Sequence, residues 1–322
     1  MEIWPSQSLQ HLKTDVIIRI EKVCIMKKIY LLLSVLFIAS LSGVKAQQSP
    51  HYTQYMFNPY IINPAIAGTQ LYYQIRSSHR FQWVGLTDAP ITNAIACFGP
   101  HSTKDMGWGG YIYNDITGPT SRTGFMGSYA YNIAINSDIR VSGGLSFGMM
   151  QYKYDKSKID MYEPGDPTDA DEVEAQFTPD AKIGFYVYSS TFHVGVSADQ
   201  IFHNEFKNKD LGELIRHYYI IGGYKVFINR DFAIEPTMMM KKVMAAPFQA
   251  EISCRVIMQN QFWGGLSFRT RESLSVLLGY IHNEKIEIGY SYDIGVNDMR
   301  RVHTGSHEMM IGYKFDDIKK MR

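Results

Sequence analysis

Past residue 46 the chain has no run of 18 or more apolar residues, so no segment of that part can cross a bilayer as a helix. Cysteine is scarce there too. Cys97 and Cys254 are the only two, which excludes a disulfide framework, and both sit in strand-like runs as ordinary small residues. Neither sign of charge prevails, since 26 Lys and Arg stand against 28 Asp and Glu after residue 46, and that balance gives no case for nucleic acid. Gly-rich phosphate loops, HExxH zinc motifs and CxxC pairs are missing, and no nucleophile elbow is expected. Nine histidines scattered after residue 46, among them His193 and His217 inside strand-like runs and His203, His303 and His307 near loops, read as lumen-facing or interfacial groups. The chain therefore reads as non-enzymatic, with no cofactor and no metal site.

What is present begins with Met26 to Ala46, MKKIYLLLSVLFIASLSGVKA. Lys27 and Lys28 precede a short apolar stretch from Ile29 to Leu41, and Val44-Lys45-Ala46 forms a small-x-small site, the pattern of a secretory signal peptide. Residues 1–25 then read as a mis-called upstream extension and Gln47 as the mature start. The remainder carries 21 Tyr, 16 Phe and 25 Gly. Many tyrosines and glycines without long apolar runs suit an outer-membrane barrel, in which only every second residue meets lipid, although β-sandwiches share part of that bias.

Period-two alternation dominates from residue 70 onward. In KIEIGYSYDI, Ile286, Ile288, Tyr290, Tyr292 and Ile294 alternate with Lys285, Glu287, Gly289, Ser291 and Asp293. The first set is expected to face lipid, with Glu287 and Ser291 facing the lumen, where an introduced charge should cost far less. About fourteen such runs occur, near 70–79, 91–99, 106–114, 121–133, 139–153, 180–189, 191–200, 216–227, 231–242, 248–258, 261–270, 273–281, 285–294 and 307–315. Most have the length of about ten residues that a tilted strand needs to span a bilayer. Every second connection is short, and the intervening ones include the three longest, near 154–179, 201–215 and 295–306. That sorting predicts an all-β, antiparallel, up-and-down outer-membrane barrel with short periplasmic turns and long surface loops. The final Tyr313-Lys314-Phe315, before the charged tail 316–322, has the look of a barrel-assembly signal.

The start of the mature part, QQSPHYTQYMFNPYIINPAIAGT, resembles the signature of the PorP/SprF family of Bacteroidetes outer-membrane proteins, through Tyr52, Gln54, Tyr55, Asn58, Pro59, Asn63, Pro64, Ala65 and Gly68. The resemblance continues in HRFQWVGLTDAPITNA, through Arg80, Gln82, Trp83, Gly85, Ala89, Pro90 and Thr92. It implies a part in type IX secretion and gliding motility. Partners would be secretion components in the periplasm and outer membrane, and a secreted cargo or adhesin with a type IX sorting domain, in addition to the lipid bilayer itself.

On the residues alone, Asn58-Pro59 and Asn63-Pro64 stop any helix and initiate turns, and Gly68 permits a tight entry to the first strand. Residues 47–69 thus read as an ordered periplasmic lead or plug under the barrel 70–315, either closing its base or presenting a docking surface through Tyr52, Tyr55, Phe57, Asn58 and Asn63. Arg80 and Trp83, beside Gly85, suggest a surface recognition site or, more plainly, a locked loop folded over or into the barrel. Nine acidic residues between Asp155 and Asp180, including Asp166, Asp169, Asp171, Glu172 and Glu174, do not match EF-hand spacing and read as a solvated loop rather than a calcium site. The expected function is docking by an outer-membrane barrel. The rivals are a porin passing small solutes and, with less support, a barrel hydrolase.

Overall fold

A computed structural model describes residues 51–158, 173–202, 214–244 and 246–315. The signal segment, the tail 316–322 and most of the acidic loop, with His203, lie outside the described residues. The strands are β1 Tyr73–Phe81, β2 Ile91–Pro100, β3 Met106–Thr117, β4 Thr120–Ala134, β5 Arg140–Asp155, β6 Val173–Tyr188, β7 Phe192–Asp199 and β8 His217–Tyr224. They continue with β9 Val226–Phe227, β10 Phe232–Val243, β11 Gln249–Met258, β12 Phe262–Arg269, β13 Ser273–His282, β14 Ile286–Gly295 and β15 Ser306–Phe315. The two-residue β9 pairs with β10 just beyond the end of β8, so β8 and β9 act as one stave broken at Lys225. Each stave is antiparallel to its neighbours, and β1 pairs with β15 along nine residues. The result is a closed barrel of fourteen staves, as the alternation predicts. Closure leaves no sheet edge in the bilayer, where unpaired backbone groups could find no water.

Side-chain parity gives the barrel its orientation in two solvents. In β14, Ile286, Ile288, Tyr290 and Ile294 are exposed on the outer face while Glu287, Ser291 and Asp293 are buried inside, and Tyr292 is half-buried. Aromatics such as Trp108, Tyr131, Tyr224, Phe227, Phe262 and Tyr313 stand exposed toward one end, in the manner of an interfacial girdle. The turns at that end are short, spanning 101–105, 135–139, 189–191, 228–231, 259–261 and 283–285. Two of them carry consecutive positive-φ residues, Gln259-Asn260 and Asn283-Glu284, as tight twisted hairpins require. The opposite end carries the long connections 82–90, 156–172, 200–216 and 296–305. One boundary differs from the alternation: β6 begins at Val173, not near 180, because VEAQFTPD continues the ladder with β5 as far as Asp155. The stretch does alternate, with Ala175, Phe177 and Pro179 exposed and Thr178 and Asp180 buried, but the acidic run before it and Pro179 within it mask the strand in the sequence.

The core lies inside the lumen. Tyr52, Tyr55, Tyr60, Ile61, Ile62, Ala65, Ile66 and Ala67 pack against inward-facing Ala94, Ala96, Phe98, Tyr111, Met126 and Tyr219.

Candidate functional site

Residues 51–69 form a plug within the barrel, held between the two mouths. The segment enters at the long-loop end, descends along β14, β15 and β1, crosses the lumen at Tyr60–Asn63, and returns along β5, β4 and β3 to the short-turn end. Pro59–Ile61 and Pro64–Ile66 are single 3-10 turns, each started by the Asn-Pro pair the sequence displays; the side chain of Asn63 accepts from Ala65 N–H at 3.0 Å. The expected periplasmic lead is thus corrected to an internal plug. The reason is pairing: its polar groups find their partners on the lumen wall, where a segment beneath the barrel would have met only water.

The first limb is pinned by charge. Arg80 and Glu308, both on the lumen face, are 1% and 0% exposed, so neither ion has water to answer it. Arg80 reaches Asp293 Oδ2 at 2.8 Å and Glu308 Oε2 at 3.1 Å, and also donates to Thr53 Oγ1. Thr53 in turn donates from its backbone to Glu308 at 2.7 Å and from its hydroxyl to Asp293 at 2.7 Å. Gln54 donates N–H to Glu308 Oε1 at 3.3 Å and its side-chain amide to Glu308 O at 2.9 Å. A second guanidinium, Arg269, donates to Thr53 Oγ1 at 3.0 Å, Glu251 at 2.8 Å and Glu272 at 2.8 Å. A buried ion is stable only when so paired and hydrogen-bonded. Burial works against the charged form of Glu272, yet adjacent Arg269 holds its carboxyl down at about 2. Burial and Arg269 likewise lower the His51 ring well below its ordinary range, so it donates to Glu251 at 3.1 Å as a neutral group.

The crossing and return limbs are held by one lysine, by neutral hydrogen bonds and by glycines. Lys182 Nζ, paired with Asp199 at 2.7 Å, donates to Ile61 O at 2.9 Å, and Ser197 donates to Ile62 O at 2.9 Å. Asn63 donates to Phe185 O at 3.0 Å and Val196 O at 3.3 Å, and Ser142 donates to Ala65 O at 2.6 Å. Tyr60 stacks on Phe98 at 4.3 Å and donates to Ser128 at 2.7 Å. Two wall glycines bring sheet backbone against plug backbone. A Cβ at Gly144 would sit 2.6 Å from Ala65 Cα, and one at Gly107 would run into the nitrogen of Gly68, itself at φ +76. On the lumen face of β14 a Cβ at Gly289 would meet Gln54 Oε1 at 2.6 Å, so a larger residue there must first displace the end of that plug side chain.

Of the residues singled out from sequence, Tyr52, Tyr55, Phe57, Asn58, Asn63 and Arg80 come together inside the barrel, all buried. Tyr55 hydroxyl lies 3.2 Å from Thr237 Oγ1, and both amide atoms of Asn58 are buried without a hydrogen-bond partner. Trp83 is apart from them, in the loop 82–90. It holds φ 53, a left-handed value a bulky residue rarely adopts, and donates N–H to Ser306 Oγ at 3.1 Å. Val84 exchanges backbone bonds of 2.8 Å with Gly305 and Thr304, which latches this loop onto the loop 296–305. Sequence reasoning did not find the wall partners Glu308, Asp293, Arg269 and Glu251. The available signal was charge at lumen-parity positions in otherwise amphipathic strands. It also overlooked Gly144-Leu145-Ser146-Phe147-Gly148, which has the GxSxG spacing. That stretch runs straight along β5 with Ser146 Oγ 2.6 Å from Ser128 Oγ, and makes no strand-to-helix elbow.

Two cavities flank the plug. One of 570 Å³ at the long-loop mouth is bordered by Trp83, Arg122, Phe248 and Arg271. The other, 950 Å³, opens at the short-turn mouth with Met56 and Phe57 on its inner surface.

Solved structures of similar shape include the CymD monoaromatic hydrocarbon channel, at 10% identity and TM-score 0.47 over 82% of this chain and 92% of that one. The P. putida toluene transporter TodX aligns at 8% identity and TM-score 0.44, over 79% and 92%. The KdgM porin aligns at 10% identity and TM-score 0.39, over 76% and 99%. At these values the likeness extends to barrel architecture and no further. No curated protein matches the sequence. Residues 44–313 match the family described as type IX secretion system membrane protein PorP/SprF, and the chain, a fourteen-stave barrel of the outer membrane, belongs to that family.

Proposed function

We propose that this protein serves type IX secretion by docking, as a closed outer-membrane barrel that joins periplasmic components of the apparatus to a secreted adhesin or other cargo held at the surface. One observation carries the reading: between the cavities at its two mouths the lumen is occupied by a plug fixed through buried ion pairs, hydrogen bonds and glycine contacts. A water-filled porin leaves its lumen open, whereas a docking barrel can use a rigid body with distinct faces. In this reading the short-turn end faces the periplasm and the long loops face outward.

The test has two arms. In planar bilayers the purified barrel should show no stable conductance steps; regular open steps would return the assignment to a porin. In cells, replacing residues 159–172 with a Gly/Ser linker should leave the barrel assembled, since surface loops tolerate length change at small entropic cost. The secreted partner should then appear in the medium and be lost from the surface. For orientation, single cysteines at Val302 and Asn283, both at exposed loop positions, should react with an impermeant reagent on whole cells at 302 and not at 283.

A further inference from the structure

The cavity at the short-turn mouth has a composition that selects a ligand. Its inner end is partly made of the plug itself: half-buried Met56 faces it with Ile281 of β13, while Phe57 and Trp263, 1% and 3% exposed, lie under the Arg76 and Arg255 guanidinium groups. Its two wall arginines are already matched. Arg255 meets Glu235 at 2.8 Å and lies over the Trp263 ring at 5.3 Å, and Arg76 meets Glu287 at 3.7 Å. The rim is not matched. Lys225, Lys285 and Lys314 stand there against Glu284 alone, a surplus of two positive charges. Lys314 lies over the Tyr72 ring at 5.4 Å and Lys225 over the Phe227 ring at 5.0 Å, so both ammonium groups lie against aromatic faces, with Glu287 and Glu235 near them but beyond salt-bridge distance.

From this geometry we infer that the short-turn cavity is a docking site for an acidic polypeptide segment with an apolar anchor, supplied by a periplasmic protein. The inference rests on the docking reading and names the chemistry of its inner partner. At 950 Å³ the cavity stands at the upper end of the range of ordinary ligand pockets, about 300–1,000 Å³, and is open to a chain end or loop. Carboxylates would meet the lysine rim, and an aliphatic side chain would reach Met56 and Ile281. The same contacts report the state of the plug. Arg76 donates to Phe57 O and its guanidinium lies 4.3 Å over the Phe57 ring, so the inner surface exists only while the plug is seated. A partner bound there favours the seated form by mass action.

The test uses the mature barrel in lipid nanodiscs and a fluorescent ten-residue peptide of alternating Glu and Leu, followed by anisotropy. The peptide should bind, the corresponding Lys/Leu peptide should not, and added salt should weaken the complex. Reversing two rim charges together, Lys285→Glu with Lys314→Glu, should weaken binding about tenfold or more. Both positions are on the rim, away from the plug contacts, so the barrel is expected to assemble. Bound peptide should also slow amide exchange of residues 54–60, which a purely superficial electrostatic contact would not do. Lack of binding, equal binding of the Lys/Leu peptide or of empty nanodiscs, or displacement by equimolar inorganic phosphate would each overturn the proposal. A non-conducting barrel that displays cargo yet binds no peptide would defeat this site and leave the docking reading standing.

Discussion

Replacing Glu308 with Leu isolates what holds the first limb of the plug. Glu308 is fully buried on the inner face of β15 and accepts from Thr53 N–H, Gln54 N–H and Arg80. Leucine keeps comparable bulk but accepts nothing, leaving Arg80 with Asp293 as its sole carboxylate partner. Deleting one member of a buried ion pair costs about 3 to 5 kcal/mol. At 1.4 kcal/mol per decade, the seated form loses about two to four decades against the released form. The ladders of β15 with β1 and β14 use backbone groups, so the loss falls on the plug and not on the wall. The return limb keeps its bonds from Lys182, Ser197, Asn63 and Ser142, each worth about 1 kcal/mol net. Amide exchange followed by mass spectrometry on Glu308→Leu should therefore accelerate by about two decades or more at Thr53 and Gln54 and stay unchanged across 61–67. Heat-modifiable gel mobility confirms that the barrel has assembled. Unchanged exchange at 53 and 54 in an assembled barrel would refute the claim that these charges anchor the plug.

Ile288→Arg, on the lipid face, should destabilise the barrel by about 2 to 4 kcal/mol near mid-membrane, read as a lowered temperature of heat modification. Gly144→Val should cost about 1 to 3 kcal/mol by overpacking against Ala65, with faster exchange confined to residues 63–68; a stabilised variant would mean the plug does not touch that wall. For Glu272 the folded carboxyl titrates at about 2 against an ordinary 4.5, so its contribution is complete above the higher value and disappears as pH falls through the lower. Acid should accordingly weaken the long-loop end progressively from about pH 5 to pH 2, and Glu272→Gln should flatten that part of the stability profile measured by heat modification.

The barrel was legible because lipid imposes a strict rule on every second residue. In β14 the isoleucines and tyrosines obey it without exception, and strand length and loop sorting follow from the same bilayer. Where acidic residues and a proline interrupt, the sequence says less, as at the start of β6, whose Ala175 and Phe177 keep the rule beside Asp171, Glu172, Glu174 and Pro179. The plug was legible only as punctuation: two Asn-Pro pairs and Gly68 announce turns, yet Tyr, Gln and Asn look alike in a lumen and beneath one. What fixes its place are contacts such as Thr53 with Glu308, separated by 255 residues, and no local pattern encodes such a distance. The identity of Glu308 as a wall partner was masked by its ordinary place in HEMMIGYKF, where alternation alone accounts for it.

The seam between β1 and β15 gains a further property from the plug. Backbone ladders are nearly indifferent to a slide of two residues, since inside stays inside and outside stays outside. Such a slide along β15 would put Met310 or Ser306 where Glu308 now meets Thr53, Gln54 and Arg80. The peg in the lumen therefore acts as a gauge for closure. The final stave of the barrel is checked for position against the segment that leads into its first stave, and a misaligned barrel closes with Arg80 deprived of Glu308.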